Sequence, residues 1–386
     1  MTGRRRLDVL QVVTSTAARG AERFAVRLES ALRERGLDVT TRALYPDPSP
    51  GIDAEPLGPT RLGPATLAGL RREARRARVV VAHGSTALPA CVVATAGLRR
   101  PLVYRNIGDP YHWSMTRRRR LQSRLLLSRV DAVVALTPET GRRISRLYRV
   151  PPGRIRAIPR GVDPTEFPAR GPGDQGRARS DLGLDPDGPL ALYLGALSPE
   201  KAPGAVVELG GLLPGRWRVV IVGDGPERPA TEMAARRTGD GRVDVVGGTD
   251  DPRRWLRAAD VLVLPSHTEG LPGVVIEAAL TGVPAVVTDV GFVRDLVDDG
   301  RTGFVVPVGD TMAMASAVVA AHARGPELGA AAHDHVVARY SLDVVADHWF
   351  SLLRRRLPPG GTAPPTGTPG RPGPRASGPG PSGGPA

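Results

Sequence analysis

Two glutamates, Glu269 and Glu277, stand eight positions apart around the glycine-rich run Gly270-Leu271-Pro272-Gly273. The stretch from Pro272 to Leu280 is predicted as a short helix, with proline at its first position and Gly282 just past its end. A helix start behind a glycine-rich loop presents unpaired amides and a positive dipole end, which suits a diphosphate. Glu269 then lies in the loop, and Glu277 lies inside the helix about 6–8 Å along its axis. Carboxylates so placed flank an anion and can accept hydrogen bonds from hydroxyls on either side of it. A nucleotide sugar has that layout: sugar, diphosphate, ribose. Two solvated acids on a surface loop and helix are the plainer reading of the same run.

Other reactive side chains follow short apolar runs. Lys201, in Ser198-Pro199-Glu200-Lys201, is the only lysine of the chain. Its ammonium suits phosphate oxygens, through a charge-assisted bond worth about 1.5–3 kcal/mol. Gly223-Asp224-Gly225 begins like a dinucleotide fingerprint, but Arg228 occupies the place of the third glycine. A tight turn shaping a base or ribose pocket is expected there rather than an NAD site. His83, at a strand end, is a candidate catalytic group and equally a hydrogen-bonded structural residue. Asn106, the only asparagine, is a candidate for a role in a cleft. Asp109 and His112 are candidates to act as a base or to orient an acceptor hydroxyl, with a turn as the alternative. Arg19-Gly20 opens a helix after the first strand, where glycine lets backbone approach a ligand and Arg19 adds a cation.

The elements that must position these groups are legible. Val-rich runs are predicted as strands at Leu7–Thr14, Val39–Tyr45, Arg78–His83, Pro101–Ile107, Asp131–Thr137 and Arg154–Val162. A second set is predicted at Leu190–Leu197, Arg218–Gly223, Val243–Gly247, Asp260–Pro265, Pro284–Val290 and Gly303–Val308. The runs are continuous rather than alternating, as parallel strands buried on both faces require. Amphipathic helices fall between them, such as Ala21–Arg35 with Phe24, Leu28 and Leu32 on one face. Two doubly wound parallel α/β sheets facing a cleft follow, since ligands bind beyond the carboxyl ends of such strands. We expect a first domain over 1–165, a Pro/Gly-rich linker over 166–189 and a second domain over 190–341. Residues 342–357 form an amphipathic helix, and the Pro/Gly/Ser tail 358–386 is expected to be disordered.

Net charge is +14, almost all from arginine. Arginine at this density replaces lysine on ordinary solvated faces, so charge alone does not imply a nucleic acid. The basic segment Arg117–Arg129, interleaved with leucines, suits either a solvated face or contact with an anionic membrane surface. No run approaches a membrane span, and one cysteine, Cys91, permits no internal disulfide, so a cytoplasmic setting is expected. No Cys or His cluster has metal-ligand spacing, and Asp185-Pro186-Asp187 lies in a turn-rich stretch, so no metal or cofactor is expected. Gly-Lys-Ser/Thr and Gly-x-Ser-x-Gly motifs are absent, which argues against an ATPase and a serine hydrolase.

Together the motifs resemble the retaining GT-B glycosyltransferases of family four, over about residues 7–356. The carriers are Glu269…Glu277, Pro265-Ser266, Gly282-Val283-Pro284-Ala285-Val286-Val287-Thr288-Asp289, Asp299-Gly300-Arg301-Thr302-Gly303, Gly195…Glu200-Lys201 and Ile158-Pro159-Arg160-Gly161-Val162-Asp163. The resemblance implies a metal-independent transferase moving a sugar from a UDP- or GDP-linked donor to a hydroxyl acceptor. That acceptor is a polysaccharide, a lipid-linked compound or a small molecule. It assigns Glu269 to the sugar, Gly270–Gly273 to the diphosphate, Glu277 to the ribose and Lys201 to phosphate. It also implies that helix 342–357 crosses back onto the first domain. Departures are Ala196 for the usual arginine, Ile107 for a histidine and Arg160 for an asparagine. Arg19 is the candidate replacement for the missing cation. A non-catalytic scaffold and a sugar-nucleotide epimerase are the alternative functions.

Overall fold

The computed structural model describes residues 7–49, 51–108, 110, 116–239 and 241–357. The first half runs β1 (Leu7–Ser15), α1 (Gly20–Glu34), β2 (Val39–Tyr45), α2 (Pro64–Arg76), β3 (Ala77–His83), α3 (Leu88–Thr95), β4 (Leu102–Arg105), α4 (Arg117–Ser128), β5 (Ala132–Ala135), α5 (Pro138–Tyr148) and β6 (Ile155–Ala157). The second runs α6 (Asp174–Asp181), β7 (Leu190–Leu194), α7 (Pro203–Leu212), β8 (Arg218–Val222), α8 (Arg228–Thr238), β9 (Val243–Gly247), α9 (Pro252–Ala258), β10 (Val261–Leu264), α10 (Gly273–Thr281), β11 (Ala285–Thr288), α11 (Val293–Leu296), β12 (Gly303–Val306), α12 (Thr311–Ala323), α13 (Gly325–Tyr340) and α14 (Leu342–Arg354).

The strands form two parallel six-stranded sheets, ordered β2-β1-β3-β4-β5-β6 and β12-β11-β10-β7-β8-β9. Every predicted strand is present. Most are shorter at the carboxyl end, because those residues turn away from the ladder into the loops that carry the polar groups. Both faces of the first sheet are buried. Val80 and Ala82 face one apolar layer, while Val79 and Val81 face another with Phe24, Leu28 and Trp349.

The 166–189 segment is not irregular throughout. It contains α6, whose buried Arg179 donates to Asp260 Oδ2 at 2.7 Å and to the Ala258 carbonyl at 2.8 Å. Phe167 and Ala178 join the second core, so this stretch packs as part of the second sheet's domain. The tail 358–386 lies outside the described residues.

Helix α14 packs on the first sheet, burying Val345, Ala346, Trp349, Leu352 and Leu353 beside α1. It starts where the chain passes between domains for the second time. There Val162 N donates to Tyr340 O at 2.9 Å and Leu342 N to Val162 O at 2.8 Å. Arg35 ties the start of α14 to α1 through Asp343 and Asp347. Trp349 is fully buried. Trp349→Ala is expected to cost about 3–5 kcal/mol in urea unfolding. Trp349→Phe, which keeps most of the ring volume and removes an indole N–H that has no partner, should cost clearly less. Equal losses would show that volume is not what Trp349 supplies.

Candidate active site

The second sheet reverses its strand order between β7 and β10. Loops leaving two such strands run in opposite directions and open a crevice beyond their carboxyl ends. Lys201 follows β7, and Ser266 and Glu269 follow β10. Lys201 Nζ donates to Glu269 Oε1 at 2.6 Å, and Ser266 Oγ donates to the same oxygen at 2.8 Å. The Glu269 side chain is only 5% exposed and that of Lys201 26%. Short charge-assisted bonds at a partly buried site hold their geometry better than an exposed pair does. An ammonium has three donors, so Lys201 can hold Glu269 and a phosphate oxygen at once.

Backbone contacts fix these loops. His267 N donates to Glu200 O at 2.8 Å, joining the loop after β10 to the one after β7. Thr288 Oγ1 donates to Ser266 O at 2.6 Å from β11. Gly291 has φ +56°, and a Cβ on it would fall 1.9 Å from Glu269 O. Only glycine lets the chain pass so close behind the Glu269 loop. Gly195 and Gly223 meet the same way: a Cβ on Gly223 would lie 1.8 Å from Gly195 O. The two turns form one floor, joined by Leu197 N to Asp224 O at 2.9 Å.

Helix α10 starts one residue later than predicted, with Pro272 as its cap residue and no side chain capping it. Leu271 packs against the second core, while a Cβ on Gly270 would meet nothing within 4 Å. Open space over Gly270 and an uncapped helix start make an approachable face for an anion. Glu277, one turn in, faces Arg160, with Nη2 at 3.7 Å from Oε1. Burial pushes the Glu277 carboxyl above the usual carboxylate range; Arg160, Arg27 and Arg23 oppose this and Glu166 adds to it.

Residues 188–324 match the family described as Glycosyl transferases group 1, and residues 18–166 match that described as Glycosyltransferase Family 4. The D-inositol 3-phosphate glycosyltransferase of Nocardia farcinica is 31% identical over 357 residues, 80% of this chain and 75% of that protein. The protein of that name from Geodermatophilus obscurus is 30% identical and covers 86% of each chain. The chain belongs to this glycosyltransferase family. Anabaena HepE in complex with UDP-glucose superposes with a TM-score of 0.77 at 20% identity, covering 90% of this chain and 100% of that one. WaaG, a glycosyltransferase involved in lipopolysaccharide biosynthesis, gives 0.67 at 18%, covering 89% and 99%. Both likenesses establish the GT-B fold.

In this family 4 glycosyltransferase the first-domain candidates divide. His83 is buried, with Nε2 at 2.9 Å from Gln11 Oε1. The Gln11 amide nitrogen donates to Ala25 O and Thr41 Oγ1, so its oxygen is the acceptor and His83 Nε2 carries the proton. The ring stacks on Trp349 at 6.2 Å. Burial, with Arg105 adding, holds its pKa well below the usual histidine value. His83 is thus packed into the first core and held there by Gln11 and Trp349. Asn106 lines a cavity, but both ends of its amide are engaged, by Tyr104 Oη at 3.2 Å and Gly108 O at 2.6 Å. Gly20 is the first residue of α1. Arg19 points outward, 68% exposed, 3.9 Å from Asp47. Asp109 and His112 lie outside the described residues.

Three contributors were not singled out as site residues by the sequence. Ser266 carried a signal, as a hydroxyl at a strand end. Arg160 showed only as a departure from the family motif, and Arg105 carried no signal, because arginine is everywhere in this chain. Arg105 is 2% exposed, with its guanidinium 3.9 Å from the centre of the Phe24 ring and Nε and Nη1 without hydrogen-bond partners. Burial, then Arg160, pushes its pKa down to about 9 against the opposing pull of Glu22.

The raised Glu277 carboxyl gives a testable pH signature. Its folded value lies above its unfolded one, so folding binds a proton as pH falls through that window, and the penalty of a buried charge disappears. Glu277→Gln is expected to be more stable than wild type at pH 7 by urea unfolding, with the gap closing toward pH 4.5. A gap that widens on acidification contradicts the assigned burial.

Proposed function

We propose that this glycosyltransferase moves a sugar from a nucleoside-diphosphate sugar to a hydroxyl acceptor with retention of configuration. The observation that carries it is the Lys201–Glu269–Ser266 cluster at the strand-order reversal, beside the uncapped start of α10. Lys201 and the α10 amides stabilise charge growing on the departing diphosphate. Glu269 accepts from sugar hydroxyls, and Glu277 from the ribose. The bond from the anomeric carbon to phosphate breaks, and that to the acceptor oxygen forms on the same face. The acceptor proton passes to the departing phosphate oxygen. Retention is supported by the family resemblance, and a nucleotide donor by HepE, whose structure holds UDP-glucose.

For the acceptor we favour a compact polyol carrying a phosphate. Supporting this are relatives named D-inositol 3-phosphate glycosyltransferases and a cavity of about 380 Å³ lined by Arg61, Ser85, Thr86, Asn106 and Arg119. The decisive assay is transfer from UDP- and GDP-sugars to inositol phosphate or inositol. Glu269→Ala and Lys201→Ala are each expected to lower kcat/KM by roughly 10²-fold. An active wild type indifferent to both changes sinks the site; equal use of inositol sinks the phosphate requirement.

No helix among the described residues is long and apolar enough to cross a membrane. We propose surface contact through α4, which exposes Leu121 (67%) and Leu125 (65%) among Arg117–Arg120 and Arg124. Sedimentation with anionic, but not neutral, vesicles is expected, reversed by salt. Absence of binding to anionic vesicles at low salt would refute the contact.

A further inference from the structure

Position 196 carries alanine where the motif resemblance implies an arginine. Arg19 does not replace it, since it faces outward toward Asp47. Arg160, in contrast, points into the region between the two domains. Its Nη1 lies 2.7 Å from where a Cβ on Gly273 would stand and 3.7 Å from where one on Gly20 would stand. Gly273 begins α10 and Gly20 begins α1, and neither helix has a side-chain cap. One guanidinium therefore lies beside the starts of two helices from different domains. Its 3.7 Å ion pair with Glu277 is too long for a hydrogen bond, and Arg160 makes no other ion pair or hydrogen bond among the described residues.

Behind this point lies Arg105, buried against Phe24, the residue one turn from Gly20 on α1. Two of its nitrogens have no partner. The carboxylate acting on it is Glu22, whose own carboxyl is pushed up by burial. Two guanidinium groups and two helix starts thus converge, with acids that only partly offset them. Such a concentration of positive charge is stabilised by an anion.

We propose that Arg160 binds the diphosphate of the donor from across the domain boundary, replacing the cation absent at Ala196. The assignment rests on the donor reading above. It makes Arg160 a two-sided contact. Glu277 attracts it over the start of α10, where Gly273 gives it space, and Gly20 lies beside it on the first domain. The absence of a side chain on Gly273 is what leaves room for the guanidinium.

The test is calorimetric titration of the full chain with UDP, GDP, uridine and guanosine. Arg160→Asn is expected to weaken binding of whichever nucleotide binds wild type by roughly tenfold, the value of one charge-assisted contact. The matching nucleoside should bind within twofold of wild type, which also shows that the variant is folded. Arg160→Lys should recover most of the loss, and Ala196→Arg placed in the Arg160→Asn background should recover part of it. Equal weakening of nucleotide and nucleoside overturns the proposal, because it would mean that Arg160 only orients Glu277. An unchanged diphosphate affinity in Arg160→Asn overturns it while leaving the donor reading intact. A wild type that binds neither UDP nor GDP overturns the donor reading and this assignment with it.

Discussion

A 2.6 Å contact between opposite charges, on loops that leave neighbouring strands in opposite directions, organises the second-sheet half of the molecule. The pair needs β7 and β10 side by side although β8 and β9 intervene in the chain. It also needs the backbone to come unusually close behind each loop. Gly291 lets one segment run against Glu269, and Gly223 lets another run against Gly195. Their close backbone approach helps fix the loops that carry the carboxylate and the ammonium.

The first-sheet half is built differently. Its reactive-looking groups at strand ends, His83 and Asn106, are absorbed into the protein's own hydrogen bonds. What it directs at the cleft is positive charge, from Arg160 with Arg105 beneath it. Arg105 is costly to bury without partners. Its contact with the Phe24 ring recovers part of that cost, since a guanidinium on an aromatic face is attracted to it. The remainder of the cost is consistent with an electrostatic design that favours an anion nearby.

The fold was legible because buried parallel strands leave unbroken Val-rich runs, and β2 and β9 match their predicted bounds residue for residue. The glutamate pair was legible from spacing, and Lys201 from being alone. Helix α6 was not, because its composition is polar and glycine-containing and its packing depends on one buried arginine meeting Asp260 far along the chain. Histidine burial was equally hidden: nothing local to His83 announces that Trp349 will return from the far end of the chain to cover it. Arg160 was visible only as a departure from a motif, since its meaning comes from Gly20 and Gly273, which no local pattern connects to it.

The chain passes between its two halves twice, and both passages lie side by side, bonded through Val162, Tyr340 and Leu342. Two adjacent strands of backbone make a hinge with one preferred axis rather than a loose tether. Displacement about such an axis grows with distance from it. Arg160, two residues from that axis, would shift little while remote parts of the gap swing wide. The geometry therefore seats the bridging guanidinium near the pivot of any opening motion, where its grip on the start of α10 is least disturbed.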